Sequence, residues 1–353
     1  MNEKQEHIVH AQLLKEFCAD ALTLVAVPEV DAEIIADSMV EAELRGIDTH
    51  GVTRLAGYIR MLREGNMNPR PNIKVVAESP SMVLLDADDA VGNLAAVRAM
   101  EMVIKKAKEV TVAVTAVRNS THCGALAYYT MMAIPHGMIG FMTSDSPPIV
   151  PPYGGKTRSI STNPWCFAIP AGEELPVVLD MATTVVAGGK IRLAAKKGER
   201  IPMDWALDAD GKPTDDPVRA LKGFLQWMGG PKGYGLAVVA DILAGVLTGG
   251  PFGRNIPPLL EPYGSGLVRQ GNFLAALNIS HFMPLSQFTA RVDQLIRDLK
   301  SSERIEGVEE ILLPGEPEFR KKAQRLESGI PLSTAVWDEL ENVRAQLGLE
   351  RSI

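Results

Sequence analysis

Cysteine is scarce in this chain of 353 residues, and the three that occur, Cys18, Cys123 and Cys166, lie far apart with no CxxC pair. Such spacing offers neither a disulfide framework nor a local zinc site. No HExxH motif occurs either, so the sequence predicts no metal site. Unpaired thiols are typical of reducing compartments, and we therefore expect a cytoplasmic protein.

A basic surplus and an uninterrupted apolar span are also missing. The chain has 36 Lys and Arg against 43 Asp and Glu, a formal net charge of −7. This balance excludes nucleic acid as the main partner, because phosphate binding needs a basic surface. The most apolar run, residues 233–250, carries Asp241 in its middle, where a carboxylate costs about 2.5–3.5 kcal/mol on insertion. We expect a buried or half-buried helix there and no membrane partner, and the polar start, MNEKQEHIVHAQ, does not resemble a signal peptide.

Two nucleotide-binding signatures are absent as well. No GxGxxG follows a strand-like run, and GGPKGYG has its glycines in the wrong order. Gly155–Lys156–Thr157 is similar to the end of a P-loop, but Val150 stands where the first glycine is required, and two prolines fill the loop. A Rossmann dinucleotide fold is therefore not expected.

The residues that are present predict a globular α/β protein. Hydrophobic residues make up 46% of the chain and charged residues 22%, which is ordinary for a folded domain. Apolar spacing predicts helices at 8–26 and 29–46 and a third that begins at Asp48 or Thr49 and ends before Gly65.

Beyond this helical segment the pattern alternates between strands and helices. Runs such as VTVAVTAV and LPVVLDMA predict buried strands, and residues 234–248 predict an apolar helix. Two further helices, at 286–300 and 333–347, close the chain. The sequence thus predicts an N-terminal helical segment (1–72), a central α/β body (73–285) and a C-terminal helical segment (286–353) that packs back on the N-terminal one.

The most informative local pattern is ELRGIDTHGVTRLAGYIRML. His50, Arg54 and Tyr58 are four residues apart, which predicts one stripe of a helix. Arg54 could grip a carboxylate with two parallel hydrogen bonds, and His50 could exchange a hydroxyl proton near neutral pH. This stripe is typical of a site for a small carboxylic acid. The alternative is the polar outer face of an amphipathic helix.

A second histidine stands in RNSTHCGALAYY. His122 is expected just inside a helix capped by Ser120 or Thr121, where the helix dipole favours a neutral imidazole. A neutral imidazole is what a base that removes a hydroxyl proton must be. The alternative is a structural histidine.

Two more segments carry a charged residue at the end of an apolar strand or in a glycine-flanked loop. Asp180 closes the strand-like VVLD, and a carboxylate there needs partners such as backbone donors, a histidine or a ribose hydroxyl. Lys232 stands in the glycine-flanked GGPKGYG, where backbone amides and one lysine could seat a phosphate. A turn-forming aspartate and a simple flexible loop are the alternatives.

Taken in order, these segments resemble the malate/L-lactate dehydrogenase family, whose relatives include ureidoglycolate, sulfolactate and diketogulonate oxidoreductases and piperideine-2-carboxylate reductases. The matching stretches run from about residue 40 to 332. They are RGIDTHGVTRLAGY, NPRP, NSTHCGALAYY, PPYGG, STNPWCFAIP, LDMATTVVAGGKI, IPMDWALDADGKPTDDP, GGPKGYGLAVVADILAGVLTG and LLPGE.

The resemblance implies a non-Rossmann α/β fold with a central mixed sheet, which binds NAD or NADP and works as a homodimer. It assigns acid/base chemistry to His50 or His122 and substrate binding to Arg54, with Thr49 in the place of a family serine. From the stripe we also expect Tyr58 to contact the substrate, and we expect Asp180 to assist the histidines in catalysis. The resemblance assigns the cofactor to the central body, through Ser146, Asp180, Met181, Ala182 and Lys232, and to Gly315 and Glu316 of the C-terminal segment.

The activity implied is hydride transfer between nicotinamide and C2 of a small 2-hydroxy or 2-oxo acid such as malate or lactate. Reduction of a cyclic imino acid and oxidation of a ureidoglycolate-type substrate are alternatives within the family. An alternative of another class is a metal-dependent hydrolase or lyase that uses the two histidines and Asp180 as ligands.

Overall fold

A computed structural model describes residues 6–257 and 266–353 of the chain. The strands described are β1 (Glu6–Val9), β2 (Lys74–Ser79), β3 (Met82–Asp86), β4 (Val112–Ser120), β5 (Met138–Ser144), β6 (Trp165–Ile169), β7 (Val177–Met181), β8 (Ala206–Leu207), β9 (Phe224–Leu225), β10 (Gln270–Asn278) and β11 (Ile330–Ser333). The α-helices described are α1 (Ala11–Thr23), α2 (Glu29–Leu44), α3 (Leu55–Arg63), α4 (Gly92–Ala107), α5 (Ala127–Met131), α6 (Gly188–Lys197), α7 (Pro217–Lys222), α8 (Pro231–Asp241), α9 (Leu285–Lys300), α10 (Glu316–Ser328) and α11 (Thr334–Leu347).

The central sheet has seven strands in the order β2-β3-β4-β10-β5-β6-β7. The pair β3–β4 is parallel, with α4 as the crossover that a parallel pair requires, and the other neighbouring pairs are antiparallel. The prediction of an α/β fold around a mixed sheet, without the parallel order of a Rossmann fold, is confirmed.

One edge of this sheet collects the segments that the sequence singles out. Because β5, β6, β7 and β10 alternate in direction, the ends of β4, β5 and β7 lie beside the beginnings of β6 and β10. His122 and Ser146 lie just beyond the ends of β4 and β5, and Asp180 is the last residue but one of β7. Antiparallel pairing therefore brings candidates from distant parts of the sequence to the same side of the molecule.

Two apolar cores support this edge. One lies between α4 and the sheet and contains Met100, Leu85 and Tyr129. The other joins α1, α2 and α3 to β11 and α11 and contains Phe17 and Tyr58. Strand β1 pairs with β11, and α10 contacts α2 through the ion pair Lys322–Glu41 (2.6 Å). The exact division of the chain at residues 72 and 285 stays a prediction.

The predicted third helix is wrong over its first turns. Two short 3₁₀ turns, Asp48–His50 and Val52–Arg54, precede α3, which begins only at Leu55. Gly51 separates them with an extended backbone (φ −92°, ψ −140°). Short polar side chains here compete with helical hydrogen bonding, as Thr53 does by donating to the Asp48 carbonyl (2.8 Å).

The predicted helix around His122 is also wrong. Ser120 is the last residue of β4, Thr121 and His122 belong to an irregular segment, and α5 begins at Ala127. The helix-dipole argument for a neutral His122 therefore fails.

Other elements were missed or misplaced by sequence periodicity. The predicted first helix overlaps β1, whose backbone pairs with a strand more than 300 residues away. Strands β6 and β11 and helix α10 were not predicted. The apolar run forms α8, which continues as a π-helical turn over Ile242–Val246. No helix within the described part of the chain is long and apolar enough to cross a membrane.

Candidate active site

The turn that connects α2 to α3 carries three of the candidate residues. Thr49 Oγ1 lies 2.9 Å from His50 Nδ1. The Arg54 Nε–H donates to the Thr49 carbonyl at 2.7 Å, which closes the turn on itself. Thr49, His50 and Arg54 are thus assembled by a compact turn and its side-chain hydrogen bonds, whereas the sequence predicted a continuous helical stripe.

His122 meets this turn from the end of β4. Its ring lies 5.7 Å from that of His50, centroid to centroid, with an interplanar angle of 23°. Its Nδ1 accepts a hydrogen bond from the Gly124 N–H (3.3 Å) and faces the Tyr58 hydroxyl at 2.8 Å. A backbone N–H can only donate, so the neutral imidazole of His122 carries its proton on Nε2.

Tyr58 is buried under this pair of histidines. The side chain is only 2% exposed, and its hydroxyl also contacts the His122 carbonyl oxygen at 3.3 Å. A buried phenol needs a hydrogen-bond partner, and here the partner is the imidazole. This geometry makes Tyr58 a support for His122 from below.

The surroundings keep both imidazoles neutral at pH 7. Burial and the nearby Arg54 guanidinium lower the pKa of His50 from 6.5 to about 4. Burial, Arg54 and His50 lower the pKa of His122 well below its ordinary value. Desolvation and a neighbouring cation both disfavour the charged ring, and they replace the helix dipole as the cause of neutrality.

Asp180 lies at the end of β7 and faces a separate cavity. Its carboxylate accepts a hydrogen bond from the Ala127 N–H (2.8 Å) at the start of α5. Burial raises the pKa of Asp180 to about 6 against the opposing effect of that hydrogen bond and of Arg45. Within the described residues no hydrogen bond joins Asp180 to either histidine, so its predicted catalytic role stays a prediction.

The cavity beside Asp180 measures about 400 Å³. Its lining includes Arg45 and Gly315, the residue that precedes α10. Gly315 has φ +88°, and a Cβ there would lie 2.8 Å from the Val178 carbonyl oxygen, so glycine allows this close approach.

The remaining cofactor candidates occupy different environments. Ser146 donates to Ser161 Oγ at 2.6 Å near the end of β5. Met181 pairs with Trp165 in the sheet, and Ala182 follows it. Lys232 is exposed in the first turn of α8. The Glu316 carboxylate is already engaged, since it accepts from Lys300 Nζ at 2.6 Å and from Arg320.

The segment after β7 reaches back to the histidines. A Cβ on Gly189, in the first turn of α6, would lie 3.3 Å from the Thr49 methyl group. The start of α6 therefore packs directly against the turn that carries His50. This contact connects the candidate cofactor segment Asp180–Ala182 with the candidate acid/base residues.

Sequence reasoning missed the residues beneath the site. Glu43 is 1% exposed and Arg45 4% exposed, and both belong to the pattern ELRGIDTHGVTRLAGYIRML without a role having been assigned to them. The signal was available in part, because charged residues are rarely fully buried without a purpose. The motif could not reveal that these side chains are buried.

The chain is similar to known proteins over most of its length. A family model described as malate/L-lactate dehydrogenase matches residues 9–341. A malate dehydrogenase of Pyrococcus abyssi is 38% identical over 345 residues, which cover 96% of this chain and 94% of that protein. An NAD(+) ureidoglycolate dehydrogenase of Escherichia coli O157:H7 is 32% identical over 94% of each chain.

The fold has a close match among solved structures. Sulfolactate dehydrogenase from Methanocaldococcus jannaschii superposes with a TM-score of 0.91 at 39% identity. The superposition covers 97% of this chain and 98% of that one. The chain thus matches these proteins in both sequence and fold over nearly its full length.

Proposed function

The chain belongs to the malate/L-lactate dehydrogenase family, and from that premise we propose how its residues share the work of a hydride transfer. The predicted family resemblance is confirmed, and the chain is an oxidoreductase that acts on small hydroxy acids with a nicotinamide cofactor. The observation that carries the proposal is the placement of two neutral imidazoles 5.7 Å apart beside the Arg54 guanidinium.

Arg54 binds the substrate carboxylate. Its Nε–H donates to the Thr49 carbonyl at 2.7 Å, which fixes the guanidinium plane, and the substrate carboxylate would bind the terminal nitrogens. A planar guanidinium forms charge-assisted hydrogen bonds of defined direction. The carboxylate position in turn sets the position of C2 next to the histidines.

His50 and His122 have different parts in the proton transfer. His50 Nδ1 faces the Thr49 hydroxyl, and when it donates there, the lone pair on Nε2 is available to take the substrate hydroxyl proton. His122 is held with its proton on Nε2 by Gly124 and Tyr58, so it donates a hydrogen bond to the same oxygen as negative charge develops. Tyr58 is then a positioning residue, in place of the substrate-binding role predicted for it.

The cavity beside Asp180 fits part of a nicotinamide dinucleotide. Its volume of about 400 Å³ lies within the usual range for small-molecule sites. Asp180 supplies hydroxyl acceptors, and Arg45 presents a buried Nε with no hydrogen-bond partner in the described structure. Asp180 and Gly315 line this cavity and would hold the cofactor there, with Met181, Ala182, Ser146 and Lys232 as further contacts. Glu316 would affect the cofactor only through Lys300 and Arg320, with which it is already paired. When bound, the nicotinamide supplies the acceptor or donor of the hydride.

The substrate proposed is a malate- or lactate-like acid, with NAD or NADP as the cofactor. Ureidoglycolate-type and cyclic imino acids present the same carboxylate and C2 to Arg54 and the histidines. A panel of these acids, each tested with NADH and NADPH at the nicotinamide absorbance band, assigns both preferences.

Substitution of the two histidines tests the proposal. His50→Ala and His122→Ala should each lower kcat by about 10²–10⁴-fold, the usual contribution of general acid/base catalysis. His281→Ala is the matched control, because His281 lies at the far end of β10 and contacts Thr111 (3.1 Å). Hydride transfer that survives both active-site substitutions at the wild-type rate would overturn the proposal.

A second copy of the chain is the partner we propose for α8. Val239, Ile242, Val246 and Leu247 are each 45–57% exposed along one face of α8 and its π-helical turn. Contiguous apolar surface of this kind marks association sites, and the family resemblance implies a homodimer. Ile242→Glu combined with Val246→Glu should shift the wild-type dimer to monomer in sedimentation velocity, whereas a wild-type monomer would contradict the assignment.

We also propose that the protein is cytoplasmic. Cys18, Cys123 and Cys166 are buried free thiols, and such thiols are stable in a reducing cytoplasm. Fractionation of the native host would decide it.

A further inference from the structure

Glu43 lies beneath the turn that carries His50 and Arg54. Its Oε1 accepts a hydrogen bond from the Val52 N–H at 2.9 Å, between the two 3₁₀ turns. A Cβ on Gly51 would lie 2.2 Å from this same oxygen. The carboxyl group therefore fills the space that the turn encloses and touches its backbone directly.

A second carboxyl group and one cation complete the cluster. The Asp48 carboxyl group shares the Arg325 guanidinium with that of Glu43. Arg325, from α10, donates to Asp48 Oδ1 at 2.7 Å and to the Glu43 carbonyl oxygen, and its Nη1 lies 4.0 Å from Glu43 Oε2. In α1, burial and then the charge of Glu43 raise the pKa of the Cys18 thiol.

Two carboxyl groups around one guanidinium repel each other when both are ionised, and a proton on one of them lets it donate a hydrogen bond to the other. Arg325 supplies one positive charge against two carboxyl groups, and the exposed Asp48 is the better solvated of the two. The proton therefore belongs on the buried Glu43. Desolvation and the Asp48 charge raise the pKa of Glu43 to about 8.

We infer that Glu43 is a positioning residue whose protonated carboxyl group bridges Val52 and Asp48 and thereby holds His50 and Arg54 in register with the substrate. Loss of that proton places two adjacent carboxylates under the turn. Their repulsion shifts the turn, and hydride transfer declines at alkaline pH. The inference deepens the proposed function and rests on it.

Three substitutions separate the proton from the packing. Glu43→Gln keeps both hydrogen bonds without a titrating proton, because its amide oxygen accepts from Val52 and its NH₂ donates to Asp48. Asp48→Asn removes the second carboxylate. Glu43→Leu removes both bonds. Glu41→Gln is the matched control, since Glu41 lies on the same helix and pairs with Lys322 of α10 (2.6 Å) away from the turn.

The first measurement is the pH profile of kcat/KM. Wild type and Glu41→Gln should fall about tenfold per pH unit above about pH 8, as a single essential proton requires. Glu43→Gln and Asp48→Asn should lose this alkaline fall while keeping activity at pH 7. Glu43→Leu should lower kcat/KM by about 10²-fold at all pH values, the cost of a misplaced group. An alkaline fall in Glu43→Gln identical to that of wild type overturns the inference.

The second measurement needs no activity. The folded chain holds the Glu43 proton up to about pH 8, whereas an unfolded glutamate releases it near its ordinary pKa. Wild-type Tm should therefore decline between about pH 4.5 and 8 relative to Glu43→Gln, since the stabilisation is lost as pH rises. Parallel Tm curves overturn the inference. Diverging curves in a chain that proves inactive with nicotinamide cofactors would support the shared proton and refute the proposed function.

Discussion

The Tyr58 hydroxyl lies 2.8 Å from His122 Nδ1, and the two residues are 64 positions apart in the sequence. The phenol comes from α3 in the N-terminal helical segment, and the imidazole from the segment that follows β4 of the central sheet. This contact joins the two parts of the molecule at the centre of the candidate site. Because the Gly124 N–H also donates to this nitrogen (3.3 Å), the proton of the neutral His122 ring lies on Nε2.

Removal of this hydroxyl should lower turnover more than it lowers stability. Tyr58→Phe leaves the ring packed but frees His122 Nδ1 from one of its two donors, and a hydrogen bond of this kind contributes about 0.5–1.5 kcal/mol. We expect kcat to fall by about tenfold with little change in KM, measured by steady-state kinetics. Tyr128→Phe removes a hydroxyl that donates to Asp37 (2.7 Å) and should leave kcat unchanged. An equal loss in both variants would contradict the role of Tyr58.

Replacement of the guanidinium should affect the acid substrate selectively. Arg54→Lys keeps the charge but loses the fork geometry and the Nε–H bond to Thr49. Hydrogen bonds to charged groups contribute about 1.5–3 kcal/mol, so KM for the acid should rise by roughly 10–100-fold. Cofactor affinity, followed by fluorescence titration, should stay constant. Arg63→Lys, at the exposed end of α3, is the control, and weakened cofactor binding in Arg54→Lys alone would speak against the assignment.

The acid limb of the pH profile should lie far below the ordinary histidine range. Oxidation needs His50 unprotonated, and its pKa of about 4 keeps it so down to about pH 5. The kcat/KM for the hydroxy acid should therefore be flat from pH 7 to 5 and half-maximal near pH 4. Arg54→Gln removes the secondary cause of the low pKa and should move the midpoint upward. A midpoint near 6.5 in the wild-type enzyme would show that His50 is solvated.

Gly51 should not tolerate even a methyl group. Because its Cβ would lie 2.2 Å from the Glu43 carboxyl oxygen, Gly51→Ala must displace either the turn or the buried carboxyl group. Overpacking of this kind costs about 1–3 kcal/mol, measurable by urea unfolding, and activity should fall with it. Gly235→Ala is the control, since apart from the backbone of its own helix no described atom would lie within 4 Å of the new Cβ. Equal stability of Gly51→Ala and wild type would contradict the packing described.

Local sequence patterns predicted much of this molecule. The β-branched run of β4, the apolar strand β7 and the closing helices α9 and α11 satisfy their own periodicity, so the sequence indicated them directly. The family motifs identified His50, Arg54 and His122 before any geometry was known. The absence of a GxGxxG motif after a strand correctly excluded a Rossmann sheet.

Local patterns also misled at the site itself. Spacing of four residues suggested a helix for His50 and Arg54, but Glu43 and Gly51 favour tight turns there through contacts that no local window contains. Strand β1 was misassigned for the same reason: its local pattern predicts the beginning of a helix, and only pairing with β11 makes it a strand. In both places tertiary contacts outweigh a weak local preference.

The sequence by itself determined which chemical groups are available: two imidazoles, a guanidinium, a phenol and a strand-ending carboxylate, in the order typical of one enzyme family. Only the tertiary structure decided their charge states and neighbours. Burial beside Arg54 makes both histidines neutral, and burial beside Asp48 keeps a proton on Glu43. The physical reason is that pKa values depend on desolvation and on charges brought close by folding, which are properties of three-dimensional packing.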